Sequence, residues 1–331
     1  MFILNLIILA AGFFALIKGA DIFVDGSAAL ARSFKVPALI IGLTIVALGT
    51  SAPELAVSTS AAIQGSNEIA LSNVVGSNIF NLLCVLGVCA LICPVPVDKK
   101  IIKRDFPVSI LATVFVLLAT GSAALFGGKL PGSGMENKYS MGEAAGTVSR
   151  ICGGLLLVTF IAYIGYLIYD ARKNPGGDEG GKQLPVWKCA LLIIAGLALI
   201  VAGGQAVVYS AKEIARAAGM TETLIGLTIV AVGTSLPELV TSVVAARKGQ
   251  TELAVGNVIG SNIFNLMFIL GISAVIHPIT VNVASVYDML VLVAVSILTL
   301  VFSLTSRKIG RVEGGIMAAL YVADVLFAIL R

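Results

Sequence analysis

Residues 41 to 87 and residues 225 to 271 are two copies of one sequence, with 30 of 47 positions identical at a constant offset of 184. Each copy carries a glutamate, Glu54 or Glu238, inside an apolar stretch. The first reads IGLTIVALGTSAPEL and then NVVGSNIFNLL; the second reads IGLTIVAVGTSLPEL and then NVIGSNIFNLM. A chain of this kind is constrained to bring two equivalent halves together, and the duplicated carboxylates point to one ion site assembled from both.

The surroundings of the copies are those of a membrane. Hydrophobic residues make up 58% of the 331, charged residues 12%, and the mean hydropathy is +1.03. These values exclude a water-soluble globule. Apolar stretches near the length needed to cross a bilayer as helix recur along the whole chain. Ten are expected, at 2–30, 37–63, 69–92, 106–126, 149–170, 187–211, 222–246, 252–276, 284–305 and 312–330. They are long continuous runs rather than alternating ones, so they read as helices and not as barrel strands.

The first run lacks a basic leader and flows into the next helical stretch, so it is read as a retained span rather than a signal peptide. Cys84, Cys89, Cys93, Cys152 and Cys189 lie in or at the ends of apolar segments without metal-type spacing, and are read as small buried hydrophobes. The net charge of +4 comes with no basic cluster interleaved with aromatics, so no nucleic acid partner is expected.

Placing the N-terminus outside puts 15 of the 22 Lys and Arg residues in inward loops, among them Arg32, Lys100, Arg104, Arg247, Lys248 and Lys308. The positive-inside bias therefore favours both termini outside, in a multi-pass protein of the cell membrane. Five helices per half, an odd number, then force the second half to insert upside down. The fold expected is an all-α polytopic membrane protein, ten transmembrane helices in two inverted five-helix repeats. Residues 1–170 form the first repeat, 171–187 a polar cytoplasmic linker, and 188–331 the second repeat. A polar insertion at 127–146 reads as a flexible outer loop.

Within each copy Thr50 and Glu54, or Thr234 and Glu238, lie one helical turn apart on one face, with Ala47 or Ala231 a turn earlier. Ionised carboxylates in the membrane are expensive and call for a partner or a bound cation; protonation or a buried base is the other reading. Pro53 and Pro237 cannot donate to the carbonyls of Gly49 and Gly233, so each helix should kink and free oxygens, unless the kink serves packing alone. Carbonyls, hydroxyls and carboxylates suit hard cations such as Ca²⁺ and Na⁺, and no thiolate or imidazole favours zinc or copper. The following helix of each copy sets Ser77 with Asn81, or Ser261 with Asn265, on one face, a pattern that helix packing also produces. Gly42, Asn73, Asn78 and their repeat mates read as packing residues.

The paired GTSAPE and GTSLPE, each followed by GSNIFN, closely resemble the alpha repeats of the cation/calcium exchanger superfamily, especially those of prokaryotic sodium/calcium exchangers. The resemblance covers the two copies directly and, through the 5+5 organisation, the whole chain. It implies a Na⁺/Ca²⁺ antiporter working by alternating access, with no cofactor beyond the transported ions, with the bilayer around it and no obligate protein partner. It also implies that Glu54 and Glu238 are shared ligands and that the backbone oxygens of Thr50 and Thr234 complete the calcium shell. Ser51, Ser77, Ser235, Ser261 and the carbonyls of Ala47 and Ala231 would then line flanking sodium positions, with Asn81 and Asn265 bounding the centre. One departure stands out: some relatives, including potassium-dependent ones, have aspartate where this chain has Asn265, which argues against potassium cotransport.

The nearest alternative is a Ca²⁺/H⁺ or other divalent-cation antiporter using the same glutamates. An intramembrane enzyme is disfavoured because the sole histidine, His277, lies at a helix end with no HExxH pattern. A passive channel is disfavoured by duplicated, kinked helices meeting at the midplane. The first and sixth helices, with Lys18-Gly19-Ala20-Asp21 and Gly203-Gly204-Gln205 at repeat-related positions, are the expected mobile unit.

Overall fold

The computed structural model describes residues 2–65, 67–126, 144–175, 184–220, 225, 229 and 231–330. The chain is a helical bundle. In chain order the helices are α1 (Phe2–Phe34), α2 (Ala38–Thr50), α3 (Ala52–Ile63), α4 (Glu68–Ile92), α5 (Phe106–Phe126), α6 (Arg150–Lys173) and α7 (Val186–Ala217), then α8 (Ala231–Thr234), α9 (Leu236–Arg247), α10 (Thr251–Ile276), α11 (Val283–Ser306) and α12 (Arg311–Leu330).

Among the described residues seven helices are long and apolar enough to cross a membrane, or eight when α2 and α3 count as one bent span. This is an integral membrane protein. The fourth expected span coincides with α5, and the seventh with α8 and α9; of residues 221–230 only 225 and 229 are described.

Burial sorts the helices into a centre and a rim. In the apolar windows of α4 and α10, 72% and 78% of residues are buried, against 17% for α1 and 11% for α12. The two central helices are the ones that carry the GSNIFN motifs. Both widen into a π-helical turn at the motif, over Asn81–Val85 in α4 and Phe264–Ile269 in α10. Such turns insert a residue into the helix and re-aim side chains, and they concentrate at functional sites.

Small residues set how closely the helices cross. A Cβ at Gly42 of α2 would lie 2.8 Å from the Leu253 carbonyl of α10, and one at Gly256 would lie 2.7 Å from the Leu39 carbonyl. The packing role expected of Gly42 is realised there. α1 and α7 meet along a similar seam, with a Cβ at Gly19 2.8 Å from the Gly196 carbonyl.

Two short strand pairs interrupt the otherwise helical chain. β1 (Val95–Pro96) pairs antiparallel with β4 (Lys308–Ile309), and β2 (Ala144–Val148) with β3 (Ile279–Asn282). The insertion expected as a loop at 127–146 is therefore partly strand, because Ala144 to Gly146 pair with Asn282 and Val281 of the other half of the chain. Residues 127–143 of that insertion and 176–183 of the linker lie outside the described residues.

Candidate functional site

The local sequence explains how each glutamate is placed. Pro53 has no N–H for the Gly49 carbonyl, and its ring crowds that carbonyl, so the helix cannot run through. It breaks at Ser51 (φ −82°, ψ 10°), and α2 and α3 diverge by 50°. Ser235 adopts nearly the same conformation (φ −93°, ψ 6°) between α8 and α9. Each proline then sits in the first turn of the new helix, where a missing N–H costs nothing. The kink thus does more than open a helix. Glu54 and Glu238 occupy the first turn of α3 and α9, where the helix dipole favours negative charge.

The two copies hold each other's carboxylates. The Ser51 hydroxyl donates to Glu238 Oε1 at 2.7 Å, and the Ser235 hydroxyl to Glu54 Oε1 at 2.9 Å. Longer contacts come from the following helix of each copy, Ser77 Oγ to Glu54 Oε1 at 3.4 Å and Ser261 Oγ to Glu238 Oε1 at 3.5 Å. Ser235 Oγ also lies 3.0 Å from Ser77 Oγ. Both glutamates and all four serines are buried.

The remaining oxygens are left without hydrogen-bond partners. Glu54 Oε2, Glu238 Oε2, Asn81 Oδ1 and Asn265 Oδ1 are buried and accept nothing from the described residues. Their amide nitrogens are anchored, Asn81 Nδ2 to Asn262 Oδ1 and Asn265 Nδ2 to Asn78 Oδ1, both at 3.1 Å. Each amide therefore presents an acceptor rather than a donor. Among the described residues no Lys or Arg pairs with either glutamate, so the reading in which a buried base neutralises them has no support. No three His, Cys, Asp or Glu side chains cluster there either. Two carboxylates among neutral oxygens suit a hard cation.

The other expected residues fall as follows. Thr50 is buried; its hydroxyl donates to Asn257 Oδ1 at 3.0 Å and lies 3.5 Å from Ser261 Oγ. The Ala47 carbonyl already accepts from Ser51 N at 3.0 Å and from Thr50 Oγ1 at 3.4 Å. In the second copy Ser235 N bonds to Val232 O at 3.1 Å instead. The backbone of Ala231 is helical, and its side chain lies outside the described residues. Thr234 is half-buried and lines a cavity of about 350 Å³ with Pro53, Ala56, Val57, Gln205, Tyr209 and Lys212.

Residues read as packing groups form a polar scaffold beneath the site. Asn73 Nδ2 donates to Ser58 Oγ at 2.9 Å and to the Glu54 carbonyl at 3.3 Å; its repeat mate Asn257 donates to Ser242 Oγ at 2.9 Å. Asn78 and Asn262 exchange amide-to-carbonyl bonds at 3.1 and 3.2 Å. The signal was present, since every one of these residues is identical in both copies.

A helical membrane bundle whose buried centre is lined by acidic and neutral oxygens defines the class: a membrane protein that passes cations. The family described as sodium/calcium exchanger protein matches residues 4–169 and 188–330, and the chain belongs to that family. It is 37% identical to CaxA of Alkalimonas amylolytica over 328 residues, covering 96% of each chain. It is 33% identical to the sodium/calcium exchanger MaX1 of Methanosarcina acetivorans, covering 98% of each. Its fold matches solved structures of the sodium-calcium exchanger NCX_Mj with a TM-score of 0.79, at 34% identity over 98% of this chain and 99% of that one. Of these relatives, MaX1 and NCX_Mj are named as exchangers.

Proposed function

We propose that this chain exchanges Na⁺ for Ca²⁺ by alternating access at a site formed by Glu54 and Glu238. Around them stand the hydroxyls of Ser51, Ser77, Ser235 and Ser261, the backbone oxygens of Thr50, Thr234, Ala47 and Ala231, and the amides of Asn81 and Asn265. The observation that carries this reading is the set of four buried oxygens, two carboxylate and two amide, that lack a hydrogen-bond partner among the described residues. Buried acceptors of this kind cost stability unless a hydrogen-bond donor or a cation meets them.

The chemistry of exchange follows from charge. Two carboxylates carry −2, which one Ca²⁺ neutralises and three Na⁺ overcompensate, so the ions compete for shared ligands and cannot bind together. An empty, doubly negative site crosses poorly in a low-dielectric interior, which makes exchange obligatory. The reading includes ten helices in two inverted repeats, 1–170 and 188–331 joined by 171–187, with both termini outside the cell membrane. Inverted repeats meeting at broken helices are the common architecture of alternating-access carriers. With Asn265 neutral, the cycle needs no K⁺ and moves net charge.

The test is Ca²⁺ uptake into proteoliposomes under an imposed Na⁺ gradient, an imposed pH gradient, or neither. Uptake driven by Na⁺, unaffected by removing K⁺ and responsive to voltage, is expected. Uptake driven by the pH gradient alone would assign the same glutamates to Ca²⁺/H⁺ exchange.

A further inference from the structure

The two repeat-related flanks of this site are unequally packed. On one side, α7 stands away from α3 across the cavity lined by Ala56, Val57, Gln205 and Tyr209. The repeat mates of those four residues, at the offset of 184, are Val240, Thr241, Asp21 and Asp25. They lie where α1 packs directly on α9. Val57 is 37% exposed, whereas Thr241 is fully buried with a hydroxyl that has no partner among the described residues.

A charged cluster spans that closed seam. Lys248 follows α9, and its ammonium lies 2.6 Å from Asp21 Oδ1, 2.7 Å from Asp25 Oδ1 and 3.1 Å from the Asp21 carbonyl. Asp21 and Asp25 are one turn apart on α1, so a single ammonium bridges both. The turn that presents Lys248 is repeated at the other end: Gly65 and Gly249 both take positive φ, +75° and +76°. Yet the mate of Lys248 is Gln64, whose amide turns back to Ser60 on its own helix at 2.9 Å. The backbone is duplicated and the charge is not.

We propose that Lys248, held by Asp21 and Asp25, is an ionic latch that seals the seam between α1 and α9 and biases the protein toward access through the cavity beside α7. The proposal rests on the alternating-access reading above and adds to it a device present at one end only. A bound cation that draws α1 and α7 across the bundle has to break the latch; without it the seam opens more often. Lys248 acts as a positioning residue and touches no transported ion.

The test is a thiol-accessibility measurement that does not require transport. Thr241→Cys is placed in a protein whose five native cysteines are replaced. An impermeant thiol reagent is then applied from the latch side of oriented proteoliposomes in Na⁺-free, Ca²⁺-free buffer. Lys248→Gln is expected to speed modification by about three- to tenfold, the effect of losing two partly exposed ion pairs. Asp21→Asn with Asp25→Asn should do the same, and Lys248→Arg should stay at the parent rate. Val57→Cys, probed from the opposite side, should react at a nearly unchanged rate in all variants, which reports an intact fold. An unchanged rate in Lys248→Gln, or equal acceleration in Lys248→Arg, overturns the latch. Because flux is not the readout, that failure would leave the exchange reading standing.

Discussion

The two copies of the repeated motif have the same chemistry and different access. Each breaks at its serine, starts a new helix with its glutamate in the first turn, and receives a hydroxyl from the other copy. Yet Thr50 is fully buried while Thr234 faces a cavity, and α3 is exposed where α9 is covered. The difference lies outside the repeated residues, in how α1 and α7 meet them. The local sequence dictates how each carboxylate is held, and the less similar flanking helices decide how openly each copy is packed.

The sharpest way to break the equivalence is to remove one carboxylate. Glu54→Gln and Glu238→Gln keep side-chain size and remove half of the charge at the site. Each is expected to lower Ca²⁺ exchange by at least about a hundredfold, since an ion facing a half-neutralised buried site loses several kcal/mol. Flux in proteoliposomes, with a size-exclusion profile as folding control, checks this. Normal calcium exchange by either folded variant would remove both glutamates from the site.

The crossed hydroxyls come next. Ser51→Ala deprives Glu238 of its shortest bond, and Ser235→Ala does the same to Glu54. A hydrogen bond to a charged group contributes roughly 1.5–3 kcal/mol, so each change should weaken apparent Ca²⁺ affinity about tenfold or more. The two variants should match within a factor of about three if the copies are equivalent as ligands. A large disparity in calcium titrations would mean that access, and not ligand geometry, dominates binding.

Bulk tests the access difference directly. Ala56 borders the cavity, so Ala56→Trp should slow exchange several-fold without changing thermal stability. Its repeat mate Val240 lies at the closed seam, where overpacking typically costs about 1–3 kcal/mol, so Val240→Trp should lower the unfolding temperature. Melting curves in detergent beside flux assays read both. Equal destabilisation by the two would show that the cavity wall is as tightly packed as the seam.

Much of this was legible in the sequence because it depends on short-range chemistry. Composition placed the chain in a membrane, proline placed the breaks, and identity between copies paired Glu54 with Glu238. What was not legible depends on packing across long separations. Ser51 meets Glu238 across 187 positions, and no spacing rule says that the hydroxyl serves the other copy's carboxylate instead of its own. Asn78 and Asn262 looked like packing residues because an amide in a membrane helix often is one; their reciprocal bonds exist only once α4 and α10 lie side by side. The π-helical turns at Asn81 and Phe264 leave no mark in an apolar run, and β2 forms only because β3 arrives from the other half.

The smallest expected effect belongs to the outer pair of serines. Ser77 and Ser261 reach the glutamates at 3.4 and 3.5 Å, at the limit of a hydrogen bond, so they contribute little to holding the carboxylates. In the proposed site they belong to the flanking sodium positions and not to the calcium shell. Ser77→Ala and Ser261→Ala should therefore weaken the Na⁺ dependence of exchange about three- to fivefold, at roughly a kcal/mol for a lost neutral oxygen, and change Ca²⁺ binding less. Ser77 has the nearer network, with Ser235 3.0 Å away, so its loss should be felt somewhat more than that of Ser261. Parallel Na⁺ and Ca²⁺ titrations on each variant decide the point. Equal weakening for both ions would mean that the serines orient the glutamates and do not meet sodium at all.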